Sequence, residues 1–375
     1  VILIAGAGIG GLTLAAALRR EGIACQVLER ASRFAPQGSG ITVQPNALRA
    51  LRVYGLDAMV REYAEPIAEL QVRHWQGRPL SCLSGAALER AFGAPALAIH
   101  RAELHAVLLE AAGADLVRTD CEATGFREDE AGVELLLRDG SSVRGQVLVG
   151  ADGLRSPVRA GLLGARPPRY AGYTSWRCVV ASAPGVTPGL ASESWGPGAR
   201  FGIVPLPGGR TYWYATANRP AGGTDASAGA LLPLFEGWHA PIPELLAASG
   251  SGILRTDIHD RPQAPRWTRG RVTLLGDAAH PMTPNLGQGG CQAIEDAVVL
   301  ARELARSPTD LPRALGRYEA RRREHTARVT ETARRLGALG QWRLAPARAV
   351  RDALLSLPGE QAQLRQVAWL YSFEA

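Results

Sequence analysis

The sequence predicts an α/β fold: a parallel sheet with covering helices, interrupted by an antiparallel sheet and closed by a helical tail. Three observations predict it. Residues 1–30 and 271–306 each read as a buried apolar strand, a glycine-rich turn and a helix. Residues 172–218 alternate like antiparallel strands between turn residues. Residues 326–375 read as helical, with breaks at Pro346 and Pro358.

Composition bounds the class. The chain has 375 residues, 46% hydrophobic and 21% charged, which suits a soluble globular protein of one large or two ordinary domains. No apolar run approaches the ~18–20 residues of a membrane span. The opening VILIAGAGIGGLTLAAALRR lacks the basic leader of a signal peptide. The five cysteines are scattered without a C-x-x-C, and the seven histidines show no ligand spacing. Both facts point to a reducing, cytoplasmic setting and no metal site. All 42 basic residues are arginine, for a net charge of +7. The absence of lysine excludes a Schiff base, a Walker-type phosphate lysine and a lysine general acid. Arginines peak in residues 313–351 among glutamates, the pattern of a solvated helix face. No basic stripe interleaves with aromatics, which argues against a nucleic-acid partner.

The first unit runs from the strand VILIA through Gly6-Ala7-Gly8-Ile9-Gly10-Gly11, a G-x-G-x-x-G at Gly6, Gly8 and Gly11. Leu12–Arg20 is its helix, Gly22 ends it, and Ala24–Leu28 is a second strand closing on Glu29. In a Rossmann-like βαβ unit Gly6 makes the tight turn, Gly8 lets backbone approach a pyrophosphate, and Gly11 lets helix and strand pack. The helix N-terminus adds N–H groups and partial positive charge. Glu29, followed by Arg30, can accept adenosine ribose hydroxyls. The bland alternative is a glycine-rich packing turn. This end does not choose NAD or FAD, because both carry that ribose.

Arg101 opens a helix in IHRAELHAVLLEAA, where it could meet a pyrophosphate or a ribityl chain. In GQVLVGADGLRSPVR a strand ends at Gly150-Ala151, Asp152-Gly153 turns, and Arg155 and Arg159 are expected on the next helix. The strands TSWRCVVAS, RFGIVPL and TYWYATAN follow, with Gly208-Gly209 as a hairpin turn. Arg200, Gly202 and Val204 share one face, as do Tyr212 and Tyr214. Such a face could roof a flat apolar substrate, or each residue could merely pack a sheet. Trp176, Trp195 and Trp213 read as core.

The segment RVTLLGDAAH makes a strand at residues 271–275 and sets Asp277 at the carboxyl edge of a parallel sheet, where ligands bind. The Pro284–Gly290 loop leads into a helix over 290–306, a second preformed anion site. One NAD has one pyrophosphate and needs no second cradle. FAD has an adenosine end and a ribityl–isoalloxazine end. Asp277 can hold ribityl hydroxyls, and the amides of Gly287, Gly289 and Gly290 can face the flavin edge that gains negative charge on reduction. With one complete G-x-G-x-x-G, nicotinamide is expected to visit transiently. The tail, with its apolar stripe in AVRDALLSL, is expected to pack against the body. A membrane-surface or partner-binding helix is the alternative.

These three fingerprints, in this order, resemble the single-component FAD-dependent aromatic hydroxylases of p-hydroxybenzoate hydroxylase-like fold. The branch that looks closest, on YAGYTSWRC and PNLGQGGCQAIEDA, holds urate hydroxylase and zeaxanthin epoxidase. The resemblance implies a Rossmann-like FAD-binding domain (1–72, 97–168 and 266–325), an inserted antiparallel-sheet substrate domain (73–96 and 169–265) and a C-terminal helical tail (326–375). It implies that Gly6, Gly8, Gly11, Glu29, Arg101 and Asp277 bind FAD and that backbone near Ala123 touches the adenine. Asp152 and Gly153 would serve both FAD and NAD(P)H, Arg200 and Tyr212 would contact substrate, and Pro284 and Asn285 would border the oxygen site. One departure matters: the urate enzyme carries an aspartate where this chain has Asn285. An amide is neither a carboxylate base nor an anionic anchor, which argues against urate itself.

The implied activity is a monooxygenase. NADPH or NADH reduces FAD, O2 forms a flavin C4a-hydroperoxide, and one oxygen atom enters an aromatic or electron-rich, polycyclic or isoprenoid small molecule. Hydroxylation and epoxidation stay open, as do monomer and homodimer. A flavin-dependent reductase of isoprenoid double bonds and a non-enzymatic FAD-binding sensor are the rivals. A flavin halogenase would need a lysine and a W-x-W-x-I-P motif, and the chain has neither.

Overall fold

The structure is a computed structural model and describes residues 1–34, 39–181 and 183–372. Its central sheet has five parallel strands in the order Val272–Leu274, Val147–Gly150, Ile2–Ala5, Cys25–Leu28 and Val117–Arg118. Helices Ile9–Arg20, Arg101–Ala112 and Gly289–Arg306 pack together over it. Burial on both faces is why the first strand is apolar throughout.

Register brings the sequence motifs together. Ala5 lies beside both Leu28 and Gly150, and Gly150 lies beside Leu274. Four strands therefore end level. Gly6, Glu29, Asp152 and Asp277 emerge along one carboxyl edge, where strand order reverses and ligand crevices form.

A seven-stranded sheet faces this edge. Its order is Leu254–Asp260, Arg169–Val180, Thr211–Ala217, Ala199–Pro205, Leu190–Trp195, Glu69–His74 and Pro79–Ser84. Side chains alternate between its faces. On the far face Trp176, Cys178, Phe201 and Trp213 pack with Phe235 and Leu245 in a core of their own. Trp195 is equally buried but belongs to the near face, with Arg200 beside it in register.

Two expectations shift. Arg155 lies in the turn before its helix, which spans Pro157–Leu163 and carries only Arg159. Ser156 caps that helix by accepting from the Arg159 amide (2.8 Å), and Pro157 fixes its first turn. The tail is not a separate block either, because helix Leu311–Gly340 runs through the boundary expected at residue 325. Helices Ala345–Ser356 and Glu360–Tyr371 follow it. The last packs as expected: Leu370 and Tyr371 are buried, and Tyr371 meets the edge of Phe92 at 4.9 Å. Among the described residues no helix is long and apolar enough to cross a membrane.

The long helix is bound to the body by a buried charge. Arg322 donates to Asp296 (2.7 Å), Glu295 (2.5 Å) and Gln292 (2.6 Å), all on helix Gly289–Arg306. Asp296 also accepts from the Gly276 amide (3.1 Å) and lies 2.5 Å from His280. Glu295 accepts from Asn46. Burial opposes charge on Asp296, but His280 and Arg322 outweigh it and hold the carboxyl down at about 2. Removing the cation strands two buried carboxylates. Arg322→Leu should therefore cost about 3–5 kcal/mol, read as a lower urea midpoint. Arg335→Leu removes an exposed i,i+4 partner of Glu331 and should leave the midpoint where it was.

Candidate active site

Each glycine of the first cradle has a measurable task. Gly6 sits at φ +104°, and a Cβ there would lie 2.5 Å from the Ala151 carbonyl oxygen. A Cβ on Gly11 would lie 2.0 Å from the Gly6 carbonyl oxygen. Gly8 is exposed with nothing within 4 Å, and the helix it precedes has no side-chain cap. That leaves an open approach to a helix N-terminus.

Glu29 accepts from the amides of Ala7 (2.8 Å) and Ala31 (2.9 Å), one on each carboxylate oxygen. It is thus held at the rim with lone pairs to spare. The Glu29 carbonyl accepts from the Cys121 amide (2.8 Å), which brings Ala123 to the same rim. Arg30 is exposed there and its charge reaches Asp152. Asp152 accepts from the Val158 amide (3.2 Å) through one oxygen, while its other oxygen is buried without a partner. Burial raises its pKa to about 6, against Ser156 and Val158. Gly153, at φ +79°, turns the chain away.

At the second cradle Asp277 opens to solvent at the floor of a cleft. Surrounding protein strips water from the carboxylate and raises its pKa, while His280 and Arg101 pull the other way. Arg101 is exposed in the same cleft, where the surrounding protein lowers its pKa against the charge of Asp277. Gly287 at φ +63° turns the chain into helix Gly289–Arg306, whose N-terminus has no side-chain cap. Gly290 packs against Ile41 and Ile9. Gln44 fixes this loop by donating to the Leu286 carbonyl (2.8 Å), and the Gln288 amide reaches Gln44 (2.7 Å). Arg159 donates to the carbonyls of Ala278 (2.7 Å) and Ala279 (2.8 Å), tying the Asp152 segment to the Asp277 turn.

The near face of the antiparallel sheet roofs the cleft. Register places Arg177, Tyr214, Gly202 and Glu193 in one row, and Val179, Tyr212 and Val204 in the next. The Tyr212 and Tyr214 rings lie 5.9 Å apart. Tyr212 reaches the opposite domain, where a Cβ on Gly40 would lie 2.7 Å from its ring. Burial pushes the Tyr212 phenol up to about 12, against Arg177 and Arg101, so it stays a hydrogen-bond donor at neutral pH. The Arg177 Nε is buried without a protein partner, while its Nη2 donates to Thr256 (2.9 Å).

Arg200 is differently placed. It is 1% exposed, it donates to Glu193 (3.2 Å) and Asn285 (2.5 Å), and a Cβ on Gly340 would lie 2.7 Å from its Cδ. Asn285 also donates to Tyr173 (2.9 Å), Thr283 (2.8 Å) and the Ala333 carbonyl (2.9 Å). Pro284 opens the short turn that carries it. The expected set thus divides. Tyr212 faces the cleft with Arg101, whereas Arg200 and Asn285 lock sheet, loop and long helix together. Sequence reasoning missed Arg177, Glu193, Tyr173, Gln44 and Asn46. Strand alternation from Gly202 could have found Arg177 and Glu193. Nothing local marks Gln44 or Asn46, whose partners lie over 240 positions away.

The residues present fit FAD. The first cradle is closed to any Cβ at Gly6 and Gly11 yet open at Gly8, the Asp152 oxygen is orphaned, and Asp277 and Arg101 share an open cleft between the cradles.

Comparison with known proteins agrees. Residues 1–333 match the family described as FAD binding domain. The chain is 48% identical to the aurachin C monooxygenase/isomerase of Stigmatella aurantiaca over 359 residues, covering 95% of this chain and 94% of that protein. It is 37% identical to the FAD-dependent urate hydroxylase of Klebsiella pneumoniae over 330 residues, 85% of each chain. The crystal structure of Klebsiella pneumoniae HpxO complexed with FAD and uric acid superposes with a TM-score of 0.93 at 32% identity, covering 99% of this chain and 96% of that one.

The raised Asp152 pKa sets a pH signature. A carboxyl that binds its proton more tightly when folded contributes stability at low pH and loses it as pH rises through about 6. In the FAD-free protein, Asp152→Asn should therefore gain thermal stability relative to wild type between pH 4.5 and pH 7. A difference that stays flat across this window would show that Asp152 does not titrate there.

Proposed function

Because the chain belongs to the family of FAD-dependent aromatic hydroxylases and monooxygenases, we propose that it uses NAD(P)H and O2 to insert one oxygen atom into an electron-rich, predominantly apolar ring or alkene. One observation carries this reading. A roof of Arg177, Tyr212 and Tyr214 faces the Asp277 cleft, and its apolar flank joins Val204, Met282, Leu286 and Val329 in one cluster.

The cofactor supplies the oxygen chemistry: NAD(P)H, a proton, O2 and substrate become NAD(P)+, water and oxygenated product. The protein binds, orients and excludes water. The Gly6–Gly11 loop would take the pyrophosphate, Glu29 the ribose and Asp277 the ribityl hydroxyls. The amides of Gly287, Gly289 and Gly290, at the positive end of an uncapped helix, would favour negative charge on the flavin edge. Tyr212, protonated at neutral pH, and Arg177 are the donors available to an oxygen on the substrate ring. Holding that oxygen as an anion enriches the ring in electrons where oxygen is to be delivered. Arg200 is assigned a positioning role, because Glu193 balances its charge and Asn285 occupies its fork. Asn285, an amide already engaged by Arg200, Tyr173 and Thr283, offers no carboxylate to anchor urate.

The reductant is assigned to a cavity of about 480 Å³ or 360 Å³ by its chemistry. The larger lies against His74 and Asp352, away from the cleft. The smaller adjoins the Asp152 turn and is lined by Arg155, Arg159, Arg166 and Arg261 with no carboxylate. Arg159 and Arg261 are tied to backbone carbonyls, and the exposed guanidiniums of Arg155 and Arg166 suit the phosphates of a nicotinamide dinucleotide.

The test is oxygen consumption by the FAD-loaded protein with NADPH or NADH and 18O2, across hydroxyarenes and isoprenoid alkenes. One 18O atom should appear in product. FAD-dependent double-bond reduction without 18O, or no turnover at all, would favour the reductase or the sensor. Arg177→Gln should weaken binding of a hydroxyarene about tenfold, the scale of one lost charged hydrogen bond, and spare its methyl ether. Arg155→Ala with Arg166→Ala should raise KM for NAD(P)H and leave FAD content unchanged.

A further inference from the structure

Helix Ala345–Ser356 is inside out. Two of its three charged residues, Arg351 (0% exposed) and Asp352 (6%), face the sheet domain, where they pair at 2.8 Å and Arg351 lies 5.3 Å from the Trp195 ring. Its outward arc is made of Pro346, Ala349, Val350, Ala353 and Leu354, all exposed. Leu344 precedes it and Leu357 follows, at 75% and 76% exposure. Among the described residues nine large hydrophobic side chains are exposed, and Trp342, Leu344, Val350, Leu354 and Leu357 are five of them. A helix on a globular surface ordinarily turns its apolar stripe to the core. Here Arg351 against Trp195 and Asp352 at 3.9 Å from His74, both on the sheet, fix the opposite rotation, so the stripe read in AVRDALLSL does not pack against the body.

The charge around the stripe says what suits it. Arg343 is exposed at its start, and Arg348 lines the 480 Å³ cavity with Arg78. The only acid between residues 342 and 358 is Asp352, which is buried. An apolar face with a tryptophan and arginine flanks is the composition of a helix that lies in a membrane interface. The geometry points to an anionic lipid surface as the occupant of this face: the enzyme docks peripherally on a bilayer through residues 342–357. The docked segment is continuous with the active-site wall. The Trp342 carbonyl accepts from the Gly198 amide (3.0 Å), Gln341 donates to Thr216 (2.9 Å), and Gly340 presses on Arg200. A lipophilic substrate drawn from the bilayer would thus arrive beside the roof. That delivery role rests on the monooxygenase reading, whereas the docking itself does not.

The experiment is co-sedimentation of the FAD-loaded full chain with vesicles of phosphatidylcholine containing 30% phosphatidylglycerol, against pure phosphatidylcholine. Binding should require the anionic lipid and weaken severalfold when salt is raised from 0.1 to 0.5 M. Replacing Leu344, Val350, Leu354 and Leu357 together by serine should weaken it at least about tenfold, with flavin content and far-UV circular dichroism unchanged. Should that variant misfold, the single substitution Arg343→Glu tests the charge alone and should weaken binding at low salt. The proposal is overturned if wild type stays in the supernatant, or if neither variant loses binding. It is also overturned if ultracentrifugation finds a wild-type dimer that the serine variant splits, since a second copy would then cover the face. Sedimentation needs no turnover, so a failed oxygenation assay leaves this result standing.

Discussion

Arg322 holds two acidic residues on adjacent positions of one helix, and most of the active-site floor hangs from them. Asp296 passes the restraint to the Gly276 amide and to His280, which bracket Asp277. Glu295 passes it to Asn46, and Gln292 links to Gln288 (2.8 Å) in the loop that starts the helix. A buried ion pair is a poor source of net stability, because desolvation offsets attraction. Its value here is positional. The same cation orients the turn carrying Asp277 and the helix N-terminus beside it. The burial of all four groups leaves them no alternative partner in water.

The roof depends on register in the same way that the floor depends on charge. A one-residue slip of strand Arg169–Val180 would send Arg177 into the tryptophan core and bring Trp176 to the cleft, and a slip of strand Thr211–Ala217 would exchange Tyr212 and Tyr214 for Trp213. The bulky far-face core therefore selects which side chains can meet substrate. Within the roof, charge is divided by burial. Arg200 has its carboxylate and its amide, so it behaves as a clamp. Both arginines keep a buried Nε without a protein partner, but among the described residues Arg177 has no carboxylate partner and lies beside two protonated phenols, so its charge is the one left for a substrate.

The two tail helices obey opposite rules. Glu360–Tyr371 buries its apolar end against Phe92 and packs Trp369 under Arg328 at 4.1 Å. Ala345–Ser356 buries its ions and shows its leucines. A solvated face alone would select against such a surface, which is why a lipid-facing role gives the tail a physical purpose beyond closing the site.

The sequence by itself determined the local devices. The glycine spacing at Gly6, Gly8 and Gly11, the acid at Glu29 and the strand–loop–helix order at 271–306 are set by neighbouring backbone, so their chemistry reads without a fold. Alternation fixed which residues of 199–217 share a face, because the side-chain period of a strand is local. Only the tertiary structure decided which residues meet across long separations. The level ends of four strands unite the fingerprints, Gln44 and Asn46 serve a loop over 240 residues away, and Arg200 is spent on Glu193 and Asn285. It also decided which way the stripe of residues 345–356 faces. Periodicity states that a stripe exists, but its direction follows from where Arg351 meets Trp195 and Asp352 meets His74 on the sheet.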